Sequence, residues 1–169
     1  MKKMAIGCGI FLVLGIGALA VIFYLVFRPK YRDVSSEKPF LEIVNKKIVT
    51  KKPTLILKYP GIPIKGNYTF HLEDGNSFGM NSDLEVLAEL PIGTEVTIDK
   101  AELHTGKVSG TTSAYLFGKV INIDTQETYA FQCTWGDYHV LYEDNPYWTF
   151  EQAFWQDEPL EGKYFIAVP

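Results

Sequence analysis

The sequence predicts a mainly β protein: an N-terminal single transmembrane helix, then one small β-barrel or sandwich domain with a short C-terminal helix. Three observations predict it. Residues Met4 to Phe27 carry no charge. Beyond residue 39, short apolar runs alternate with polar residues between Gly, Pro, Asn and Asp, the period-two signature of half-buried strands. Half of the aromatic side chains fall after residue 128, where a small domain must bury some of them.

The bulk properties agree. With 169 residues, 47 % hydrophobic and 21 % charged, the chain suits one folded domain with an appendage rather than a disordered or fibrous protein. A net charge of -4 argues against a generally basic nucleic-acid binder. Two cysteines, Cys8 and Cys133, are too few for a disulfide scaffold or a four-ligand zinc ribbon.

As a helix, Met4 to Phe27 would extend roughly 36 Å, enough for a hydrocarbon core of about 30 Å. Lys2 and Lys3 precede it. The small-x-small stretch Ala18-Leu19-Ala20 resembles a cleavage site, but the apolar run Val21 to Phe27 follows it, so an uncleaved signal-anchor is expected. Membrane lipid is then the partner of residues 4–27. Gly15 with Ala18 and Gly17 with Ala20 offer small faces for a homodimer, although no pair has the i, i+4 spacing of the small-residue dimer motif. Arg28, Lys30, Arg32 and Lys38 follow the run and favour a cytoplasmic domain by the positive-inside rule. The short Lys-Lys start favours an extracytoplasmic one, which is the placement expected here.

Residues 28–39 read as a juxtamembrane linker and 40–169 as the globular domain. From Arg28 to Lys65 the net charge is +7, and from Gly66 to Pro169 it is -13. Phe40 to Val44, Lys47 to Thr50 and Thr54 to Lys58 read as strands. Tyr59 to Asn67 reads as a loop, because its two prolines cannot donate to a ladder. Asn67 to Leu72, Leu84 to Leu90, Val96 to Leu103, Tyr115 to Ile123, Tyr129 to Trp135 and Tyr138 to Tyr142 continue the alternation, with a turn at Asp124 to Glu127. Pro146 predicts a helix start and a helix over Tyr147 to Gln156. Lys163 to Val168 closes as a strand.

Leu84 to Ile98 reads Leu-Glu-Val-Leu-Ala-Glu-Leu-Pro-Ile-Gly-Thr-Glu-Val-Thr-Ile. It resembles the strand–turn–strand of bacterial Src-homology-type small β-barrel domains, in which an apolar strand ends in Leu-x-x-Gly-Thr and a second strand leaves with β-branched residues on one face. The resemblance implies a binding module for peptide or cell-wall ligands, and no ligand residue of the family maps onto this chain.

Motifs for chemistry are sparse. Gly106-Lys107-Val108-Ser109-Gly110 lacks the glycine two before serine that a nucleophile elbow needs. His71 with Glu73 and Asp74, and Asp137 with His139, are the closest approaches to a metal set, and no His pair has helical ligand spacing. No catalytic residue, metal ligand or cofactor is therefore assigned. Cys133, flanked two residues away by Phe131 and Trp135, reads as a small buried hydrophobe.

The acidic, aromatic C-terminal third is the most informative feature. On the expected helix, Tyr147, Phe150 and Phe154 make one buried face and Trp148 with Trp155 an adjacent exposed stripe. The expected binding surface comprises Trp148, Trp155, Tyr147 and Tyr142 with Glu143, Asp144, Asp157 and Glu158. It implies a non-catalytic module engaging a basic protein partner, by analogy an envelope-complex subunit or an immunity-type toxin inhibitor. The alternative is a glycan-binding or glycan-cleaving protein with a carboxylate pair beside the aromatics.

Overall fold

A computed structural model describes residues 14–25, 28, 30–58, 63–74, 84–107 and 109–169. Among them the chain is mainly β. Its strands are β1 (Lys30–Asp33), β2 (Lys47–Val49), β3 (Thr54–Lys58), β4 (Phe70–Asp74), β5 (Val86–Leu90), β6 (Glu95–Thr105), β7 (Thr112–Ile121), β8 (Thr128–Thr134), β9 (Asp137–His139), β10 (Tyr147–Phe150) and β11 (Leu160–Tyr164). They build two sheets. The larger has the order β1-β6-β7-β8-β4-β3-β5, with β2 beside β1 on the long strand β6; the smaller is β11-β10-β9. All pairs are antiparallel except β4 with β8.

The membrane expectation is corrected. Residues 4–13 and 26–27 of the expected span lie outside the described residues. The described part, residues 14–25, is helical and about 18 Å long at ~1.5 Å per residue, short of the ~30 Å a crossing requires. Among the described residues no helix is long and apolar enough to cross a membrane. The single-pass, extracytoplasmic placement therefore has no structural basis.

The closed barrel is corrected as well. Both sheets are open: β5 ends one edge of the larger sheet and β1 and β2 the other, with no pairing between them. The segment 84–98 explains why. β5 and β6 flank its turn but pair with β3 and with β2 and β7, respectively. Thr50 and Thr94 set this corner. Thr50 Oγ1 and Thr94 Oγ1 both donate to the Pro91 carbonyl, at 2.8 and 2.7 Å, and Thr94 N donates back to Thr50 Oγ1 at 3.0 Å. Gly93 supplies a φ of 88° in the region that disfavours a Cβ. The chain thus leaves β5 around a corner rather than through a hairpin.

Several local expectations also change. The expected linker 28–39 contains β1, paired with β6; the strand expected over Tyr138 to Tyr142 is Asp137–His139, and the closing strand is Leu160–Tyr164 rather than Lys163 to Val168. Phe40–Glu42 is a 3-10 turn, not a strand. Its Phe40 is buried, edge-on to Trp135 and Phe150 at 5.8 and 5.5 Å, and plugs the space between the sheets. Burying such a ring contributes about 1.5–3 kcal/mol. The expected C-terminal helix over 147–156 is instead β10 followed by a turn. In β10, Trp148 and Phe150 point inward while Tyr147 and Thr149 are half-exposed, and β9 and β11 satisfy its backbone. Gln152 and Gln156 hold the turn: Gln152 Nε2 donates to the carbonyls of Gln156 and Asp157, and Ala153 N donates to Gln156 Oε1 at 2.9 Å.

A register shift between Ile98 and Lys100 reverses the alternation of β6. Val96 and Ile98 face the core before it, Ala101 and Leu103 after it. One inserted residue moves every later side chain to the other face. Lys100, Glu102 and His104 therefore share the face away from the core.

Candidate functional site

The larger sheet's outer face carries the most constrained charge. Glu102 is 0 % exposed at its side chain, with Lys65 Nζ at 2.8 Å and Lys100 Nζ at 2.7 Å from Oε1, and His104 Nε2 at 2.9 Å from Oε2. Lys100 also meets Asp33 at 3.1 Å. Burial alone would push the Glu102 carboxyl up, but hydrogen bonds from Lys100, Lys65 and His104 outweigh it and hold the pKa below the usual carboxylate value. The loop carrying Lys65 is pinned over this face by Ile64 N donating to Gln132 Oε1 at 3.1 Å and Tyr68 OH donating to Asp99 Oδ2 at 3.0 Å. Burial, aided by Asp99, pushes the Tyr68 phenol up to about 12. Every oxygen of Glu102 is engaged, so this cluster ties a loop to a sheet and leaves no acid or base free for chemistry.

A second arrangement is open to solvent. A cleft of about 370 Å³ lies where the ends of β4 and β8 meet residues 151–155. Glu73, Asp74, Asp137 and Glu151 line it together with Trp135 and Trp155. Trp135 Nε1 donates to the Glu151 carbonyl at 3.0 Å. The Phe154 carbonyl accepts from the backbone N–H of Lys51 and Lys52 at 2.6 and 3.3 Å. These bonds seat the 151–155 turn against the start of β3. Trp155 is half-buried, edge-on to Trp135 at 5.0 Å and Phe154 at 4.6 Å. Asp74 is paired with Lys52 at 2.9 Å. Among the described residues, the side chains of Glu73, Asp137 and Glu151 have no ion-pair partner.

The residues singled out from the sequence separate into different places. Trp148 is 0 % exposed, stacked on Tyr138 at 4.9 Å, and its Nε1 donates to the Ile166 carbonyl at 3.3 Å; it is core and cannot form an exposed stripe with Trp155. Tyr147 lies outward, stacked on His139 at 4.8 Å with Lys163 Nζ 3.8 Å from its ring centre. Tyr142, Glu143 and Asp144 stand exposed in the β9–β10 loop. Asp157 is exposed and 3.2 Å from Lys51, and Glu158 is exposed. The acids of the glycan alternative are thus not gathered in one cavity: Glu143 borders a cavity of about 770 Å³ beside β9, while Asp144, Asp157 and Glu158 line neither this cavity nor the acidic cleft.

Of the expected binding set, only Trp155 reaches the acidic cleft. The sequence had no signal for the rest, because the parallel β4–β8 pairing that brings Glu73 near Asp137 joins residues about sixty apart. His71, Glu73, Asp74 and Asp137, compared above with metal sets, do border one cleft. Among the described residues, however, no group of three or more His, Cys, Asp or Glu side chains could hold a metal ion. Ser109 sits in the β6–β7 turn. Burial pushes the Cys133 thiol up to about 12, as expected of a buried hydrophobe.

Comparison with known proteins adds no relative: no family model, no curated protein and no solved structure matches the chain.

Proposed function

We propose that the chain is a non-catalytic binding module that engages a basic segment of a partner protein in the cleft bordered by Glu73, Asp137, Glu151 and Trp155. The observation that carries this reading is one cleft bordered by three acidic residues that have no ion-pair partner among the described residues and by a half-buried tryptophan. A Lys or Arg side chain entering the cleft gains charge-assisted hydrogen bonds from the carboxylates and a cation–π contact with the ring. The net charge of -13 over residues 66–169 favours the encounter by drawing basic partners toward this half of the molecule.

Fluorescence anisotropy with a labelled Lys/Arg-rich decapeptide tests it, against a Glu/Asp-rich control and a chitin-type oligosaccharide. The basic peptide should bind with an affinity that falls as salt rises. The triple variant Glu73→Gln, Asp137→Asn, Glu151→Gln should weaken it at least ~10-fold, which is ~1.4 kcal/mol. Equal binding of the acidic peptide, or an unaffected triple variant, refutes the reading. Oligosaccharide binding lost with Trp155→Ala, with no peptide binding, replaces it by glycan recognition.

A further inference from the structure

The β9–β10 loop is built against the ordinary economy of a folded chain. Val140, Leu141 and Tyr142 are consecutive and exposed, Leu141 at 78 % and Tyr142 completely. Tyr142 also holds a φ of 64°, left-handed backbone that costs free energy for a bulky residue. The Tyr142 side chain gains no burial in return. Val140 and Leu141 border the cavity of about 770 Å³, which Thr111 and Thr112 at the start of β7 also line. Glu143 and Asp144 follow directly and are exposed.

We infer that this tip is the second contact point for the same basic partner, an inference that rests on the reading of the acidic cleft. The tip inserts Leu141 and Tyr142 into an apolar pocket on the partner, and Glu143 and Asp144 meet Lys or Arg side chains on its rim. Strand β9 and the first residues of the loop after it join the two contacts. Asp137 lies at the cleft end and Leu141 at the cavity end, at most roughly 13 Å apart, the span of four fully extended residues at ~3.3 Å each. Both therefore fit within one interface of ordinary size, about 800 Å² per partner. Charge decides the occupant. A second copy meeting this one tip to tip in a two-fold dimer would bring Glu143 and Asp144 against their own counterparts, which repels it, whereas a partner whose apolar pocket is ringed by cations complements both points. An exposed aromatic surrounded by polar residues is the usual form of an interface anchor.

The test is site-specific photo-crosslinking of the full chain in cells that produce it. p-Benzoylphenylalanine replaces Tyr142 in one sample, Trp155 in a second, and the exposed Ile123 as a control in a third, with adducts identified by mass spectrometry. The expected result is one and the same protein joined at positions 142 and 155, through Lys/Arg-rich peptides, and absent at 123. The double variant Leu141→Glu, Tyr142→Ser should lower the yield at position 155 at least tenfold with an unchanged melting temperature, since both side chains are exposed. An adduct at 155 with none at 142, a different protein at 142, or a second copy of this chain at 142 overturns the inference and leaves the cleft reading standing. No adduct at either position overturns both.

Discussion

Replacing Glu102 by Gln should destabilise the fold at neutral pH by an amount that shrinks in acid. Removing one member of a buried ion pair costs about 3–5 kcal/mol when its partners stay buried. Here the side chains of Lys65 and Lys100 are 29 % and 37 % exposed, so both ammonium groups can turn toward water, and the Gln carbonyl still accepts one hydrogen bond. A loss of about 2 kcal/mol follows, or ~6 °C in melting temperature for a domain of this size. The pH dependence has a definite sign. The Glu102 pKa is lowered in the fold from 4.5, so the charged carboxylate contributes its full stability above about 4.5 and loses it as pH falls through the folded value. Urea unfolding of both proteins from pH 7 to pH 2 measures the difference. It should decline as pH falls below about 4.5. A difference that is absent at pH 7, or that does not change down to pH 2, refutes the network as the source of stability.

Three further outcomes follow from the same packing. Gly136 has a φ of 102°, and an added Cβ would lie 2.5 Å from the Phe150 ring; Gly136→Ala should cost about 2–4 kcal/mol through strain and overpacking, read by urea unfolding. Trp148→Ala should remove about 3–5 kcal/mol and broaden the side-chain NMR signals of Tyr138 and Phe150, whereas Trp155→Ala should leave the melting temperature within ~3 °C; similar losses from both would contradict the separate roles of the two indoles. Cys133, in a Cys8→Ser background, should resist iodoacetamide at pH 8 until denaturant unfolds the domain, and rapid native labelling would show that its burial is wrong.

Much of the strand content was legible because alternation reports a local requirement. Thr54 to Lys58, Thr128 to Thr134 and the long run at Glu95 to Thr105 each show the period of a half-buried or buried strand in a few residues. Tyr147 to Phe150 was not legible as a strand. Its aromatics fit both a helical face and a two-residue alternation, and only the edges of β9 and β11 decide between them. The roles of Trp148 and Trp155 followed that choice: in a helix they share a stripe, in a strand and turn one becomes core and the other borders a cleft. The shift at Ile98 to Lys100 was not read either: its trace in the sequence is only the change of apolar positions from Val96 and Ile98 to Ala101 and Leu103, and it turns Glu102 from one face to the other.

By itself the sequence determined most of the strands of the larger sheet, the acidic sign of the C-terminal part and the burial of Cys133, because hydrophobic period and charge act over neighbouring residues. Tertiary structure decided that the sheets stay open, that Glu102 rather than a surface acid is the buried charge, and which carboxylates meet around Trp155. Those outcomes depend on pairing between distant strands, above all β4 with β8. The free energy of such pairing lies in long-range packing and loop closure rather than in any segment alone.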